Sequence, residues 1–392
     1  MIDVVSIRAS TPGCKTKIHF NNAGASLMPS PVIEAMTQYI SLESLMGGYE
    51  AAEEKAADIE GFYGSMAKLL KTNSNNIAFT SSSTNSFARA LSCIPFQRGE
   101  SILIANEDYV SNQLAFLSLQ KRFGIELLRA KSLPGGGVDI DDMKSLMDLR
   151  HPKLVSLTHV PTNSGLVQPV YEVGALCRER SLLYLVDGCQ SVGQIAVDVA
   201  RMQCDFFSGT FRKFLRGPRG AGFLYVSDNV LSKQLEPLFI DMRGADWMEK
   251  DSYQPRQDAR RFEDWELPYA LVLGSKAAVD YALAVGLEAI QKRNEYLCQL
   301  LRKQLEKLPL DLLDKGPRQS SIITIRISGK DANTVLKTLR RKDINTSITT
   351  RGSAVIDFDA KGVSWALRIS PHYYNTELEV DVLLLALSEI LA

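Results

Sequence analysis

The sequence predicts an α/β fold built on a mainly parallel sheet that helices cover on both faces. Short continuous apolar runs alternate with segments of helical periodicity along the first two thirds of the 392 residues. Such runs are typical of strands that are buried on both faces, and the alternation favours right-handed crossovers. Beyond residue 321 the pattern becomes strand, helix, strand, strand, helix, which predicts a smaller α+β domain at the C-terminal end.

Each element is predicted from its apolar period and from the proline, glycine or acidic residues at its ends. Strands are expected at 18–20, 77–80, 101–105, 125–129, 154–158, 182–186, 223–226, 322–327, 344–348 and 365–369. Helices are expected at 32–45, 49–70, 86–93, 113–121, 139–149, 170–180, 267–284, 286–308, 331–341 and 377–391. This order predicts an irregular arm at 1–17, a large domain at 18–266, and connecting helices with a small domain at 267–392.

Composition argues against several classes of function. The 45 basic and 45 acidic residues cancel, so the charge indicates neither a nucleic-acid partner nor an anionic membrane surface. The first residues lack the pattern of a secretory signal and no apolar run reaches spanning length, so we expect a cytoplasmic protein. The six cysteines lack CxxC spacing, which argues against a zinc site and a disulfide framework. We expect no metal.

The most informative stretch runs from residue 208 to residue 226 and is centred on Lys213. An apolar run leads in, a strand is expected to lead out, and glycines give the loop between them its freedom. Burial disfavours an ammonium, and a neutral lysine amine can form a Schiff base. The alternative is an ordinary surface lysine, because three arginines make the loop basic: Arg212, Arg216 and Arg219.

A carboxylate upstream favours the Schiff-base interpretation. Asp187 follows the apolar run at 182–186, and ligands of parallel sheets bind outside the carboxyl ends of the strands. A helix N-cap is the alternative role. An acid that accompanies such a lysine would keep the pyridinium nitrogen of pyridoxal 5′-phosphate (PLP) protonated, so that the ring acts as an electron sink. Asp187 and Lys213 together therefore suggest PLP.

Hydroxyl side chains crowd the segment 81–85, directly before a predicted helix. Unpaired N–H groups and the positive end of the helix dipole bind phosphate there, and hydroxyls add further donors. Plain N-capping is the alternative, but it needs a single hydroxyl. The segment therefore predicts a phosphate site.

Four segments occur in an order that resembles the class V PLP-dependent enzymes of fold type I. They are residues 19–24, 186–193, 208–226 and 374–381. The likeness covers nearly the whole chain, and the family contains cysteine desulfurases, selenocysteine lyases, cysteine-conjugate lyases, isopenicillin-epimerase-like proteins and kynureninase. It implies a large domain with a seven-stranded, mainly parallel sheet, a small C-terminal domain, and a homodimer whose active sites lie near the interface.

The resemblance also implies a role for individual residues. By this resemblance, Lys213 is the catalytic lysine and Asp187 is the acid at the ring nitrogen. Ala23, Gly24 and Arg368 would bind the substrate, and Arg368 would bind the substrate's carboxylate. Tyr109 lies over the ring, where desulfurases have a histidine. Thr162, Asn163 and Gln190 lie near the ring's 3′ oxygen, and we favour Thr162 and Asn163 over His159. The other cofactor-binding residues are Ser83, Thr84, Thr210 and Arg212, the last in contact with phosphate.

The reaction is predicted from a missing thiol. Cysteine desulfurases carry a cysteine on a mobile loop before the last strand, but residues 349–362 contain none, and Cys298 lies in a predicted long helix. We therefore expect a C–S lyase that acts by β-elimination on an S-substituted cysteine or its sulfoxide, as in ergothioneine or ovothiol assembly. The alternatives are a cysteine desulfurase or selenocysteine lyase, an aminotransferase or epimerase, and an inactive PLP-binding partner protein. Specificity is expected around Trp247, Arg260, Trp265 and Arg351.

Overall fold

The computed structural model describes residues 2–392 and has a seven-stranded central sheet. From one edge to the other, its strands are Ile77–Thr80, Gly222–Val226, Phe206–Thr210, Leu183–Asp187, Leu154–Thr158, Ser101–Ile104 and Glu126–Arg129. Every neighbouring pair is parallel except those made by Gly222–Val226, which is antiparallel to both its neighbours. The predicted mainly parallel, seven-stranded sheet is therefore confirmed.

Helices cover both faces of this sheet, as the continuous apolar strands predict. Along Leu183–Asp187, for example, Leu185 packs into one hydrophobic cluster while Tyr184 and Val186 pack into another. Successive strand side chains point to opposite faces, so both faces must be buried. The helices of this part are Val4–Ala9, Ser30–Met46, Gly48–Glu54, Ala56–Leu70, Ser83–Ser92, Val110–Phe123, Ile140–Arg150, Val170–Glu179, Val199–Met202 and Asp228–Ser232.

Two predictions about the N-terminal part were wrong. The arm is not irregular: Asp3 caps the helix Val4–Ala9, and a 3₁₀ turn follows at Pro12–Lys15. The helix expected at 49–70 is interrupted at Lys55, although the backbone N–H of Lys55 still donates to Ala51 at 3.0 Å. A six-residue helix is too short to show a helical period, and a one-residue break has no glycine or proline to mark it.

The C-terminal part contains the predicted α+β arrangement. Two connecting helices, Tyr269–Val285 and Leu287–Leu305, lead to an antiparallel sheet in the order Asp311–Leu312, Ile323–Arg326, Trp365–Ile369, Ser347–Thr350. Its helices are Ala332–Arg341, Val355–Lys361 and Glu377–Leu391. The division at residues 18–266 and 267–392 stays a prediction, and the strand Ile18–His19 pairs in parallel with Ile344–Asn345, across that division.

The large domain also carries a surface hairpin. A hairpin of Ala245–Glu249 and Ser252–Pro255 is mostly exposed. Within residues 2–392, no single helix is long and apolar enough to cross a membrane, and the connecting helices reach that length only as a pair bent by 77°.

Candidate active site

Lys213 lies in a buried loop at the end of a central strand. It follows Phe206–Thr210 by three residues and is only 6% exposed. Its Nζ atom lies 5.8 Å from the centre of the Tyr109 ring. Among residues 2–392, no carboxylate forms an ion pair with Lys213 and no side chain or backbone group forms a hydrogen bond with its Nζ. The alternative of an ordinary surface lysine was therefore wrong.

Arg216, one of the three arginines of the lysine loop, has a structural role. Arg216 is 1% exposed, and its guanidinium donates to Thr11 Oγ1 at 2.6 Å, to the hydroxyl of Tyr373 at 2.8 Å and to the carbonyl of Leu27 at 2.9 Å. It also stacks on Tyr374, 4.6 Å from the ring centre. Arg216 therefore fastens the lysine loop to both ends of the chain. Sequence reasoning missed this role because its partners are distant in the chain.

Asp187 ends the strand Leu183–Asp187 and points into the same region. Its carboxylate is buried and accepts hydrogen bonds from the backbone N–H of Cys189 and from Asn112 Nδ2, both at 2.9 Å. Burial raises the pKa of Asp187, while these hydrogen bonds and the charge of Lys213 oppose that rise. No helix begins at Asp187, so the N-cap alternative was wrong. A buried carboxylate of this kind favours a cationic partner.

A phosphate-sized anion can be bound at the start of the helix Ser83–Ser92. Ser82 is the N-cap, and its hydroxyl accepts the backbone N–H of Asn85 at 3.1 Å. The N–H groups of Ser83 and Thr84 lie in the first turn, where a helix provides no partner. The helix start packs closely on the sheet, because a Cβ on Gly222 would lie 2.5 Å from the Ser82 carbonyl carbon.

These groups surround one cavity. Its lining residues are Ser82, Ser83, Thr84, Tyr109, Asn112, Asp187, Cys189, Thr210, Arg212 and Lys213. Sequence reasoning had not assigned Asn112 or Cys189 to the site. Asn112 directly precedes a predicted helix and Cys189 lies two residues after the acid, but neither position carries a signal of its own.

The predicted substrate residues lie on the C-terminal side of the site. Arg368 Nη1 donates to Thr162 Oγ1 at 2.6 Å, and Nε donates to Ser347 Oγ at 3.1 Å. Burial, together with the charge of Arg212, lowers the pKa of Arg368 to about 10, although Tyr109 opposes this shift. Within residues 2–392, Arg368 has no carboxylate partner. It is therefore available for an anionic group of a substrate.

The turn at residues 21–25 joins these elements. The N–H of Ala23 donates to Ser370 Oγ at 2.9 Å, and its carbonyl accepts Gln190 Nε2 at 3.1 Å. Arg212 donates to the carbonyl of Gly24. The turn thus lies between the lysine loop and the strand that carries Arg368, while the contact of Arg212 with phosphate stays a prediction.

Gln190 and Asn163 differ in what they contact. Gln190 Nε2 donates to Thr162 Oγ1 at 2.7 Å, and its buried Oε1 atom has no partner among residues 2–392. Asn163 instead accepts the hydroxyl of Thr349 at 2.5 Å and donates to the carbonyl of Ser353 at 3.3 Å. The structure therefore places Asn163 against the segment 347–364, and its role near the ring's 3′ oxygen stays a prediction.

His159 and Thr210 are buried beside the site. Burial lowers the pKa of His159 to about 3, so this histidine is neutral at physiological pH and is poorly suited to act as a base. Thr210 donates to the carbonyl of Ala221 at 3.1 Å and so closes the base of the lysine loop.

The residues expected to set specificity are two exposed tryptophans and two arginines that are paired with nearby carboxylates. Trp247 is 81% exposed and Trp265 46% exposed. Arg260 is paired with Asp258 at 2.7 Å, and Arg351 is paired with Asp359 at 2.5 Å. The structure does not place these four residues around one pocket of this chain, so their role in specificity stays a prediction.

The donor set fits PLP. A buried lysine without an anionic partner, a buried carboxylate at a strand end, and free N–H groups at a helix start correspond to its aldehyde, its ring nitrogen and its phosphate. The unpartnered Gln190 Oε1 atom provides a further buried polar group beside them. Within residues 2–392, no group of three or more His, Cys, Asp or Glu residues that could hold a metal ion is present.

Fold and site together define a PLP-dependent enzyme of fold type I. The sequence profile described as Aminotransferase class-V matches residues 18–383, and the chain belongs to that family. It is 27% identical to a probable cysteine desulfurase of Methanothermobacter thermautotrophicus, over 98% of this chain and 97% of that protein. It is 26% identical to a probable cysteine desulfurase of Pyrococcus abyssi, over 98% and 96% of the two chains.

Solved structures agree on the fold. A cysteine desulfurase of Thermococcus onnurineus superposes with a TM-score of 0.92 at 23% identity, over 100% of this chain and 98% of that one. The cystine C–S lyase C-DES superposes with a TM-score of 0.86 at 22% identity, over 97% and 99%. C-DES has also been solved with glycine covalently linked to its PLP. PLP is the cofactor of this family and of this protein.

Proposed function

We propose that this protein cleaves the carbon–sulfur bond of cysteine or of a cysteine-derived amino acid. The observation that carries the proposal is Arg368, which has no carboxylate partner within residues 2–392 and lies close enough to Arg212 and Tyr109 for their charges to affect its pKa. Arg212 and Tyr109 line the cavity of Lys213 and Asp187. A guanidinium without a carboxylate partner can bind an α-carboxylate, and an amino acid held there would present its amino group to the cofactor. The relatives named cysteine desulfurase and the fold shared with a cystine C–S lyase support sulfur chemistry.

The chain's own residues have separate tasks in this reaction. When bound, PLP withdraws electrons from the substrate's α-carbon. Lys213 removes and returns the α-proton with its Nζ atom. Asp187 keeps the ring nitrogen protonated, and Arg368 orients the substrate through its carboxylate. The ring of Tyr109, whose centre lies 5.8 Å from Lys213 Nζ, forms part of the cavity wall beside the amine.

Cysteine desulfurase is the candidate that the named relatives favour. In that reaction an enzyme thiol takes the substrate's sulfur: cysteine and enzyme–SH give alanine and enzyme–S–SH. Cys189 is the cysteine that lines the cavity, whereas Cys298 is buried and burial raises its pKa. A desulfurase would therefore use Cys189 or an external thiol as its sulfur acceptor.

A β-eliminating lyase is the second candidate, and a specific observation favours it. The segment 347–364, which borders Arg368, contains no cysteine and is folded around the helix Val355–Lys361. A lyase needs no enzyme thiol, because an S-substituted cysteine and water give a thiol, pyruvate and ammonia. The comparisons do not favour the narrower expectation that the substrate is a sulfoxide.

Product analysis separates the two candidates. The purified PLP-bound protein is incubated with cysteine, S-substituted cysteines and their sulfoxides, each with and without dithiothreitol. Alanine with equimolar sulfide supports a desulfurase, and loss of alanine in Cys189→Ser identifies the acceptor. Pyruvate with equimolar ammonia supports a lyase. Transfer of the amino group to a keto acid, without release of sulfur, would contradict both candidates.

We further propose that the protein is a homodimer, as its family resemblance implies. Large apolar side chains are exposed near the hairpin of residues 245–255: Leu238, Phe239, Met242, Trp247 and Met248. Exposed large apolar side chains grouped along the chain in this way are typical of protein–protein interaction surfaces. Light scattering should give twice the mass of one chain, and Phe239→Glu should shift the protein toward monomer. A monomeric wild-type protein at micromolar concentration would contradict this.

A further inference from the structure

Two buried carboxylates lie at the cofactor end of the sheet, and one asparagine joins them. Asp187 is 4% exposed and Asp108 is 9% exposed. Asn112 Nδ2 donates to Asp187 Oδ2 at 2.9 Å and to Asp108 Oδ1 at 3.0 Å. An amide nitrogen carries two hydrogens, so both bonds can form at once. The buried Asn112 therefore links a strand-end acid to a second acid from a different segment.

Asp108 is held firmly in this position. Its carboxylate also accepts the Thr158 hydroxyl, the backbone N–H of Tyr109 at 2.7 Å and Gln113 Nε2 at 2.9 Å. Burial, together with the charge of Asp187, raises the pKa of Asp108 to about 6, although its hydrogen bonds oppose this shift.

The charges that face the two acids are few. Arg129 faces Asp108 at longer range, and Lys213 faces Asp187. Neither acid has an ion-pair partner within residues 2–392. A cation placed beside them would therefore be stabilised by both carboxylates.

The bond from Asn112 to Asp187 is not explained by the needs of a helix. Asp108 could serve only to stabilise the start of Val110–Phe123, because it accepts the N–H of Tyr109 there. Asp187, however, belongs to a strand 75 residues further along the chain. The orientation of the Asp187 side chain does not affect the helix Val110–Phe123. It does determine which carboxylate oxygen of Asp187 faces the cavity.

We infer that Asn112 is a positioning residue for PLP, which holds Asp187 in one orientation and couples it to Asp108. The second carboxylate then adds to the negative potential at the ring nitrogen. This inference rests on the cofactor of the proposed function and is independent of the sulfur chemistry. It predicts that Asn112 affects how tightly the protein retains PLP, whatever substrate is used.

The first test compares two asparagines that each donate to a buried aspartate. Asn112→Ala removes the link at the site, whereas Asn229→Ala removes a 2.9 Å hydrogen bond to Asp205, away from the cavity. Equilibrium dialysis of the full-length PLP-bound protein should show a PLP dissociation constant at least about tenfold higher in Asn112→Ala than in wild type. The loss of a hydrogen bond to a charged group weakens affinity by about this factor. Asn229→Ala should match the wild type.

A second variant excludes a merely structural role. Asn112→Asp keeps the shape but places a third carboxylate between two others, so it should weaken PLP retention most near neutral pH. Protonation of the new carboxyl at lower pH restores a hydrogen-bond donor. The ratio of the PLP dissociation constants of Asn112→Asp and wild type should therefore shrink by several fold between pH 8 and pH 5.5. Melting curves of the PLP-free Asn112→Ala and Asn229→Ala proteins should show comparable losses of stability, because each substitution removes a donor from a buried aspartate.

Three results would overturn the inference. The first is equal PLP retention in Asn112→Ala and Asn229→Ala. The second is a defect of Asn112→Asp that does not change with pH. The third is a wild-type protein that retains no PLP, which would also overturn the cofactor assignment. Failure of the sulfur assays alone would leave the inference standing, so the two proposals fail separately.

Discussion

The cofactor end of the large sheet and the segment 347–364 meet at Arg368 and Asn163 but are held in different ways. The sheet end is fixed by buried hydrogen bonds between rigid elements, such as Asn112 to Asp187. The segment is held at its start by the pairing of the strand Ser347–Thr350 with Trp365–Ile369. Beyond that strand its side-chain contacts include a buried ion pair of Lys361 and Asp357 and an exposed pair of Arg351 and Asp359.

This difference shows how one family can carry several reactions. We expect the chemistry that depends on PLP to be determined by Asp187 on a buried strand, Lys213 in a buried loop and the N–H groups of a helix start, where substitutions are costly. The side of the site that we expect to hold the substrate includes a short segment that, beyond the strand Ser347–Thr350, can change without disturbing the large sheet. We therefore expect substitutions in the two regions to separate cofactor binding from substrate selection.

The largest effect is expected at Lys213. Lys213→Ala removes both the amine that holds the cofactor and the proton carrier, so turnover should fall by about a thousandfold or more. The absorbance band of bound PLP near the visible boundary should disappear or shift. Assays of the product with wild-type protein as reference measure the loss, and turnover within tenfold of wild type would contradict the role of Lys213.

The next effect concerns the stability of the segment 347–364. The side chains of Lys361 and Asp357 are 3% and 5% exposed, and their atoms lie 2.7 Å apart. Asp357→Asn leaves a buried ammonium without its partner, so the free energy of unfolding should fall by about 3 kcal/mol.

The exposed pair in the same segment provides the control. Asp359→Asn removes the partner of Arg351, where both side chains are half exposed to water, and no measurable change in unfolding is expected. Urea denaturation of both variants gives the comparison. Equal destabilisation by the two substitutions would show that the buried pair does not hold the segment.

A pH effect of similar size is expected from Asp108. Its pKa is raised to about 6, mainly by burial, against about 3.9 in an unfolded chain. The folded state then binds the proton more tightly, so stability is greatest below the unfolded pKa and falls as pH rises through the folded value. Without PLP, wild-type protein should lose about 2 to 3 kcal/mol relative to Asp108→Asn between pH 4 and pH 7. A pH-independent difference between the two proteins would contradict this.

The smallest effect is expected from Arg368→Lys. The change keeps the charge but removes the planar pair of donors that suits a carboxylate, so KM should rise about tenfold while PLP retention stays unchanged. Steady-state kinetics and dialysis measure the two quantities on one preparation. A loss of PLP without a change in KM would place Arg368 at the cofactor instead.

The sequence was most informative where a strand ends. Asp187 and Lys213 could be predicted because each follows an apolar run, and such strand ends meet at one edge of a parallel sheet. Arg216 was considered only as part of the alternative, a basic surface loop, since Tyr373 and Tyr374, which contact it, lie more than 150 residues away. Local patterns indicate which face of an element is apolar, but not which distant side chain covers it.

The same limit applies to the acids beside the cofactor. Asp108 and Asn112 resemble ordinary residues at a helix start, and only the folded chain shows that Asn112 also bonds to Asp187. The helix Val355–Lys361 was likewise missed, because seven residues give too short an apolar period and an i,i+4 ion pair contributes to holding it.

One measurement tests the central claim most directly. PLP-bound wild-type protein and Lys213→Ala are each incubated with cysteine and with an S-substituted cysteine, and the sulfur released is quantified together with alanine and pyruvate. The account predicts sulfur release by wild-type protein, one equivalent of alanine or pyruvate per sulfur, and neither product with Lys213→Ala. A wild-type protein that binds PLP but releases no sulfur from either substrate would contradict the proposed function.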